Sequence, residues 1–241
     1  MNIKLIIVAS LFMLIVSATS AQEEYVTVRK LTTESNSLNY KLPGKQYYNM
    51  IVPSGSVFLY NDWKDGYLKL QNGDNYDHIS LKYNIYYDDL ITFNDRTATM
   101  IMLDKNTIEE FGLYQNNGEL QVFKKMYFSN YPMGEYFFKS LYDNNLKLAV
   151  RYKSQEEETS LYKDAYGRLR NTSFKATSLY YIIFPDHQFK RFSLKRRSFV
   201  NMFSQNKKTV RRVLRKNHIL FKNEIQTIQA VKLVEEALFS K

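Results

Sequence analysis

The sequence predicts an α+β fold: an antiparallel β-meander of roughly eight to ten strands, sandwich- or barrel-like, with two to three C-terminal amphipathic helices. Three observations predict it. Apolar and polar residues alternate along segments in the middle of the chain. Short Asn/Asp/Gly turns separate those segments, with no helical pattern between them. After Arg191 the apolar spacing changes from two to that of a helix.

The clearest strand is His78–Tyr86 (HISLKYNIY). Ile79, Leu81, Tyr83 and Ile85 share one face, while Ser80, Lys82 and Asn84 share the other. Leu146–Lys153 (LKLAVRYK) repeats the pattern, with Leu146, Leu148, Val150 and Tyr152 facing inward. Shorter strands are predicted at Val57–Tyr60, Tyr67–Leu70, Leu90–Phe93, Thr99–Leu103, Phe111–Tyr114, Leu120–Phe128 and Leu179–Phe184. Turns fall at Asn72-Gly73, Asp88-Asp89, Asn94-Asp95, Asn117-Gly118 and Asn144-Asn145, residue types that tolerate tight reversals. Leu179–Phe184 (LYYIIF) is apolar on both faces and is expected to be central. The polar stretch Lys153–Thr177 is expected to be a long loop or a pair of weak edge strands.

Three helices are expected after the strands. A short one carries Phe199, Met202 and Phe203 on one side, with Ser193 as its N-cap. A second covers Lys207–Lys216, capped by Ser204 and ended by Asn217. At ~100° per residue its Val210, Val213 and Leu214 cluster, and its cations fan across the opposite side. A third opens at Asn223-Glu224 and buries Ile225, Ile228, Val231 and Leu238. Such stripes need a partner surface, most simply the sheet.

The expected units are a leader at 1–21, an N-terminal segment at 22–56, the β-rich body at 57–192 and a basic helical unit at 193–241. The leader follows from a charged start (Lys4), an apolar run from Leu5 to Val16 and the small residues Ser17–Ala21. This is the layout of a secretory signal peptide, cut between Ala21 and Gln22. The run is too short for a spanning helix, for which ~20 residues are needed. The mature protein is therefore expected to be exported, periplasmic or extracellular, without a transmembrane span. No cysteine occurs, which excludes disulfides, thiol chemistry and cysteine-based metal sites.

The net charge of +10 is unevenly placed. Residues 190–241 hold 14 Lys/Arg against three acids, a net of +11, so the rest of the chain is close to neutral. Lys190–Asn217 alone contains eleven cations and no acid. Lys207, Lys208, Arg211, Arg212, Arg215 and Lys216 are the candidate contact residues for an anionic partner.

Motifs of catalysis or cofactor binding are missing. The eight glycines form neither a P-loop nor a G-x-G-x-x-G turn, and no G-x-S-x-G elbow exists. His78, His187 and His218 lack metal-ligand spacing. The turns NDWKDG (61–66) and NGDNYD (72–77) offer oxygen ligands, but neither matches an EF-hand, and Asn, Asp and Gly suit turns for backbone reasons alone. No catalytic, cofactor or metal residue is assigned, and no cofactor is expected. The twenty tyrosines fit half-buried strands as well as they fit stacking on sugars or bases. Trp63 is either a core plug or a platform.

SLKYNIYYDDLITF, LYYIIF and KKTVRRVLRKNHILFKNEIQTIQAVKLVEEAL together resemble uncharacterised exported proteins of Bacteroidetes bacteria. Tyr83, Asn84 and Asp88 carry the resemblance best, over a span from Val57 to Leu238. It implies the same address and architecture, and no activity.

The functional expectation is a non-catalytic binding or interaction protein of the envelope. Its basic helix face would meet an anionic envelope surface or an acidic protein partner, or would simply be a solvated face whose aliphatic stems shield the core. Nucleic acid is disfavoured by export and by the lack of a nucleic-acid-binding pattern. The alternative is a hydrolase-type enzyme with a site assembled from loops of the β body.

Overall fold

Among the described residues twelve strands, all paired antiparallel, form one sheet that does not close into a barrel. The computed structural model describes residues 24–29, 39–49, 52, 54–94, 98–164 and 166–239. The predicted leader and its cut between Ala21 and Gln22 lie outside the described residues. The strands are β1 (Glu24–Arg29), β2 (Asn39–Tyr47), β3 (Lys64–Leu70), β4 (Asn75–Asn84), β5 (Asp89–Asn94) and β6 (Thr99–Leu103). After them come β7 (Ile108–Tyr114), β8 (Leu120–Phe128), β9 (Gly134–Asp143), β10 (Lys147–Lys163), β11 (Leu169–Ile183) and β12 (Phe189–Phe192). Their order is β1-β2-β6-β5-β4-β3-β7-β8-β9-β10-β11-β12. Two meanders, β3–β6 and β7–β12, thus meet at the β3–β7 pair. A 3-10 turn at Lys105–Thr107 carries the chain between them.

Val57–Tyr60 was expected to be a strand. It is instead an irregular segment, and its role is to stitch distant parts of the sheet. Leu59 N–H donates to the Tyr83 carbonyl and Ile85 N–H to that of Val57. On the other side Phe174 N–H donates to the Ser54 carbonyl and Ser154 Oγ to that of Ser56. Ser154 N–H also reaches the Ile85 carbonyl at 3.0 Å. The outer half of the β10–β11 hairpin is sewn in this way to the end of β4. Gly55 makes the closest approach: at φ +82°, a Cβ there would stand 1.8 Å from the Phe174 carbonyl oxygen. Only glycine fits.

Of the two expectations for the polar stretch Lys153–Thr177, a long loop or a pair of weak edge strands, the second is the one observed. The stretch continues β10 and β11 as one long hairpin, paired from Lys147↔Ile183 to Lys163↔Leu169 with a register shift between Glu158 and Tyr162. Its backbone bonds are satisfied by the pair itself, so exposed side chains suffice.

The sheet is covered on both sides where β8–β12 lie. Leu148 pairs with Ile182 on one face and Ala149 with Tyr181 on the other. The first face is continuous with a core of Leu68, Leu81, Tyr83, Phe111, Phe123 and Phe137. Phe111 stacks on Phe123 at 4.7 Å, with Tyr83 edge-on to both. The helices pack against Leu146, Leu148 and Ile182. The second face holds an aromatic cluster of Phe128, Phe138, Tyr181 and Phe189.

The helices are α1 (Arg196–Asn201), α2 (Lys207–Lys216) and α3 (Glu224–Phe239). Two expected caps are replaced. Lys195 stands at the N-cap of α1, and Ser198 Oγ accepts the N–H of Ser193. Asn206, not Ser204, stands at the N-cap of α2, with no side-chain capping bond. Asn217 does end α2, donating to the Val213 carbonyl at 2.9 Å. Asn223 caps α3 by accepting the Gln226 N–H at 2.9 Å.

The buried line of α3 differs from the expected one. Val231 is buried and Ile228 and Leu238 are partly so, but Ile225 is 75% exposed. Thr227, Ala230, Val234 and Glu235 complete the line. Polar members are tolerated because each is partnered. Thr227 Oγ1 donates to the Asn223 carbonyl, and Glu235 accepts the N–H groups of Asn145 and Leu146 at 3.1 and 3.4 Å.

Candidate functional site

The six predicted contact residues all lie on α2, whose apolar face buries Val210 and Leu214 with Val213 half-buried. Five of the cations are exposed and Lys207 is partly so. None of the six makes an ion pair among the described residues. The acids that follow are mostly committed elsewhere. Glu224 bridges Lys139 at 3.2 Å and accepts the Tyr180 hydroxyl at 2.9 Å, and Glu235 is buried against the β9–β10 turn. The positive potential of α2 is thus little offset by its own neighbourhood.

His78, His187 and His218 stand on β4, in the β11–β12 turn and after α2, each with a positive φ. His78 Nδ1 lies 3.0 Å from Asp65, in the open. In NGDNYD, Asn72 and Asp74 bond to each other, as turn formers do. Among the described residues no three His, Asp or Glu side chains group as metal ligands would. Trp63 is half-buried, edge-on to Phe93 at 6.0 Å, with Lys82 Nζ over its ring at 5.7 Å.

Tyr83, Asn84 and Asp88, which carried the resemblance, form a buried polar node where β10 parts from β9. Their pairing ends at Val150↔Lys139. In the gap Asp88 accepts the N–H of Phe137 at 3.2 Å and the Tyr83 hydroxyl at 2.5 Å, and it pairs with Lys105. Burial pushes the Asp88 carboxyl up, against the opposing pull of Lys105, Tyr83 and Arg151. Burial and the nearby Asp88 charge push the Tyr83 phenol well above its ordinary value. Asn84 Oδ1 accepts the N–H groups of Tyr86 and Tyr87, holding the turn that presents Asp88.

Beside this node, on the aromatic face, lies a cavity that sequence reasoning missed. It has a volume of about 550 Å³ and is lined by Arg151, Lys153, Arg191, Tyr131 and Tyr181 among others. Among the described residues that line it there is no aspartate or glutamate. Arg151 is only 8% exposed, and its Nε has no hydrogen-bond partner. Its guanidinium lies 3.4 Å from the Tyr136 ring centroid. Burial raises the Tyr181 phenol, while Arg191 and Arg151 both act to lower it, so the ring sits in reach of both cations. A second cavity of about 460 Å³ is also rich in lysine, but there Asp143 neutralises Lys124 and Lys147 at 2.7 and 2.8 Å. Arg151 itself carried no distinguishing sequence signal, since it falls on the expected polar face of the alternating LKLAVRYK pattern.

No helix among the described residues is long and apolar enough to cross a membrane. No protein-family model, no curated protein and no solved structure matches the chain.

Proposed function

We propose that this is an exported envelope protein whose role is non-catalytic binding, with the solvent face of α2 as its contact to an anionic membrane surface. The observation that carries the reading is the set of six cations on α2 without a carboxylate partner among the described residues. Each such cation gains ~1 kcal/mol near an anionic lipid surface. Leu220, 57% exposed, stands four residues after the end of α2 and offers an apolar side chain to the same surface. The leader pattern and the resemblance to exported Bacteroidetes proteins support the address.

The test uses protein from Gln22 onward, which retains every described residue. Its binding to vesicles with and without anionic lipid is compared at low and high salt, beside a variant with the six cations changed to Gln. Salt-sensitive binding to anionic vesicles that the Gln variant loses is the expected result. Equal, negligible binding by both folded proteins overturns the membrane reading and directs the search to an acidic protein partner.

A further inference from the structure

We propose that the cavity around Arg151 is a binding site for a small organic oxyanion, a carboxylate or phosphate monoester carried on a flat apolar group. Three features lead there. The first is charge. Arg151, Lys153 and Arg191 converge on one cavity from β10 and β12, with no lining acid among the described residues. Unlike the lysines around Asp143, these three have no carboxylate in ion-pair contact among the described residues. The Arg151 Nε–H is buried without a hydrogen-bond partner, which is costly, and an anion accepting from the guanidinium fork would offset that cost.

The second is preorganisation. Tyr136 holds the Arg151 plane from one side at 3.4 Å, and Phe128 lies 5.9 Å from its centre. A stacked guanidinium keeps its N–H groups at the edge, where a two-oxygen anion can take two of them. Little rotamer freedom remains to be lost on binding.

The third is the wall. Tyr131 is 96% exposed at the rim, and Phe128, Leu179 and Tyr181 supply apolar surface inside. Thr177, Ser178, Asn130 and Gln155 supply neutral polar groups. An apolar lining with a few convergent polar groups, in a volume of about 300–1,000 Å³, is the usual form of a small-molecule site. The strand register builds it: Arg151 pairs with Leu179, Lys153 with Thr177 and Tyr181 with Arg191, so alternate residues of three strands face the same way.

The test titrates protein from Gln22 onward with phenyl phosphate, benzoate, inorganic phosphate and benzyl alcohol. Heat of binding and the ¹⁵N–¹H signal of Arg151 Nε are followed. Phenyl phosphate or benzoate is expected to bind and to shift that signal, and which of the two binds more tightly assigns the anion. Benzyl alcohol is expected not to bind, and inorganic phosphate to bind at least about tenfold more weakly than phenyl phosphate. Lys153→Gln with Arg191→Gln, both on accessible positions, is expected to weaken binding about tenfold or more without unfolding the protein. The α2 six-Gln variant is expected to bind as the parent does, which separates this site from the helix face. No binding of either aromatic anion at millimolar concentration overturns the proposal. So does binding that leaves the Arg151 signal unmoved or that the double variant retains. Equal binding of inorganic and phenyl phosphate overturns the apolar half of the ligand.

Discussion

The phenol of Tyr83 donates to Oδ1 of Asp88 at 2.5 Å, and both groups are buried. Asp88 has φ +65°, so a strained turn residue supplies the acceptor that fills the split between β9 and β10. Tyr83→Phe removes one donor and is expected to cost about 1–2 kcal/mol. Asp88→Asn keeps a residue that tolerates the left-handed backbone but leaves Lys105 without its counter-ion, at about 3 kcal/mol. Urea unfolding of the singles and the double should show a coupling of about 1 kcal/mol, and strict additivity would mean the bond is not formed.

Gly55→Ala tests the seam. The added methyl meets the Phe174 carbonyl at 1.8 Å and the backbone is at φ +82°, so the segment must move. The expected loss is about 3 kcal/mol or more. Hydrogen exchange at Phe174 and Ser154 should quicken before exchange at Phe111 does.

Glu235 joins α3 to the sheet by accepting two backbone N–H groups of the β9–β10 turn. Glu235→Leu leaves both donors buried and unpaired and is expected to cost about 2–4 kcal/mol in thermal or urea unfolding. Ile225→Gln, on the same helix but exposed, should change stability by less than about 0.5 kcal/mol. Similar losses for the two would contradict the observed orientation of α3.

Asp164 sits at the tip of the long hairpin. Desolvation acts to raise its pKa, but the N–H groups of Arg168 and Tyr166 and the side chains of Arg168 and Arg170 outweigh it and hold the carboxyl down to about 2. The folded value lies below the ordinary ~3.9, so the contribution is complete above about pH 4 and fades as pH falls toward the folded value. Carboxyl ¹³C shifts should place the midpoint near 2, and Asp164→Asn should remove the acid-induced fraying of the tip. A midpoint at the ordinary value would mean the arginines do not engage.

Legibility from sequence followed the number of wet faces. HISLKYNIY announces β4 because one face is polar, and the period of two survives. GEYFFKSLYD hides β9 because Phe137 enters one core and Phe138 the other. Lys153–Thr177 reads equally as a loop or as weak edge strands for the opposite reason, since most of its side chains meet solvent on both faces. β2 is masked by Pro43-Gly44, a pair that reads as a turn, yet a Cβ on Gly44 would lie 2.5 Å from the Ile101 side chain. The charge of α2 was legible outright, because it lies within ten consecutive residues. The Arg151 cavity was not. Its cations and aromatic wall come from separate strands and the turn before β9, and only register brings them together.

The stitch between Ser54–Leu59 and Phe174 also bears on the order of folding. Most strands here pair with a sequence neighbour, so two local meanders can zip without closing large loops. The Gly55–Phe174 contact joins positions about 120 residues apart, and its loop entropy is lost before its bonds are gained. The seam should therefore form late and be poorly developed in the rate-limiting transition state. Mutations at Gly55 should then speed unfolding more than they slow refolding.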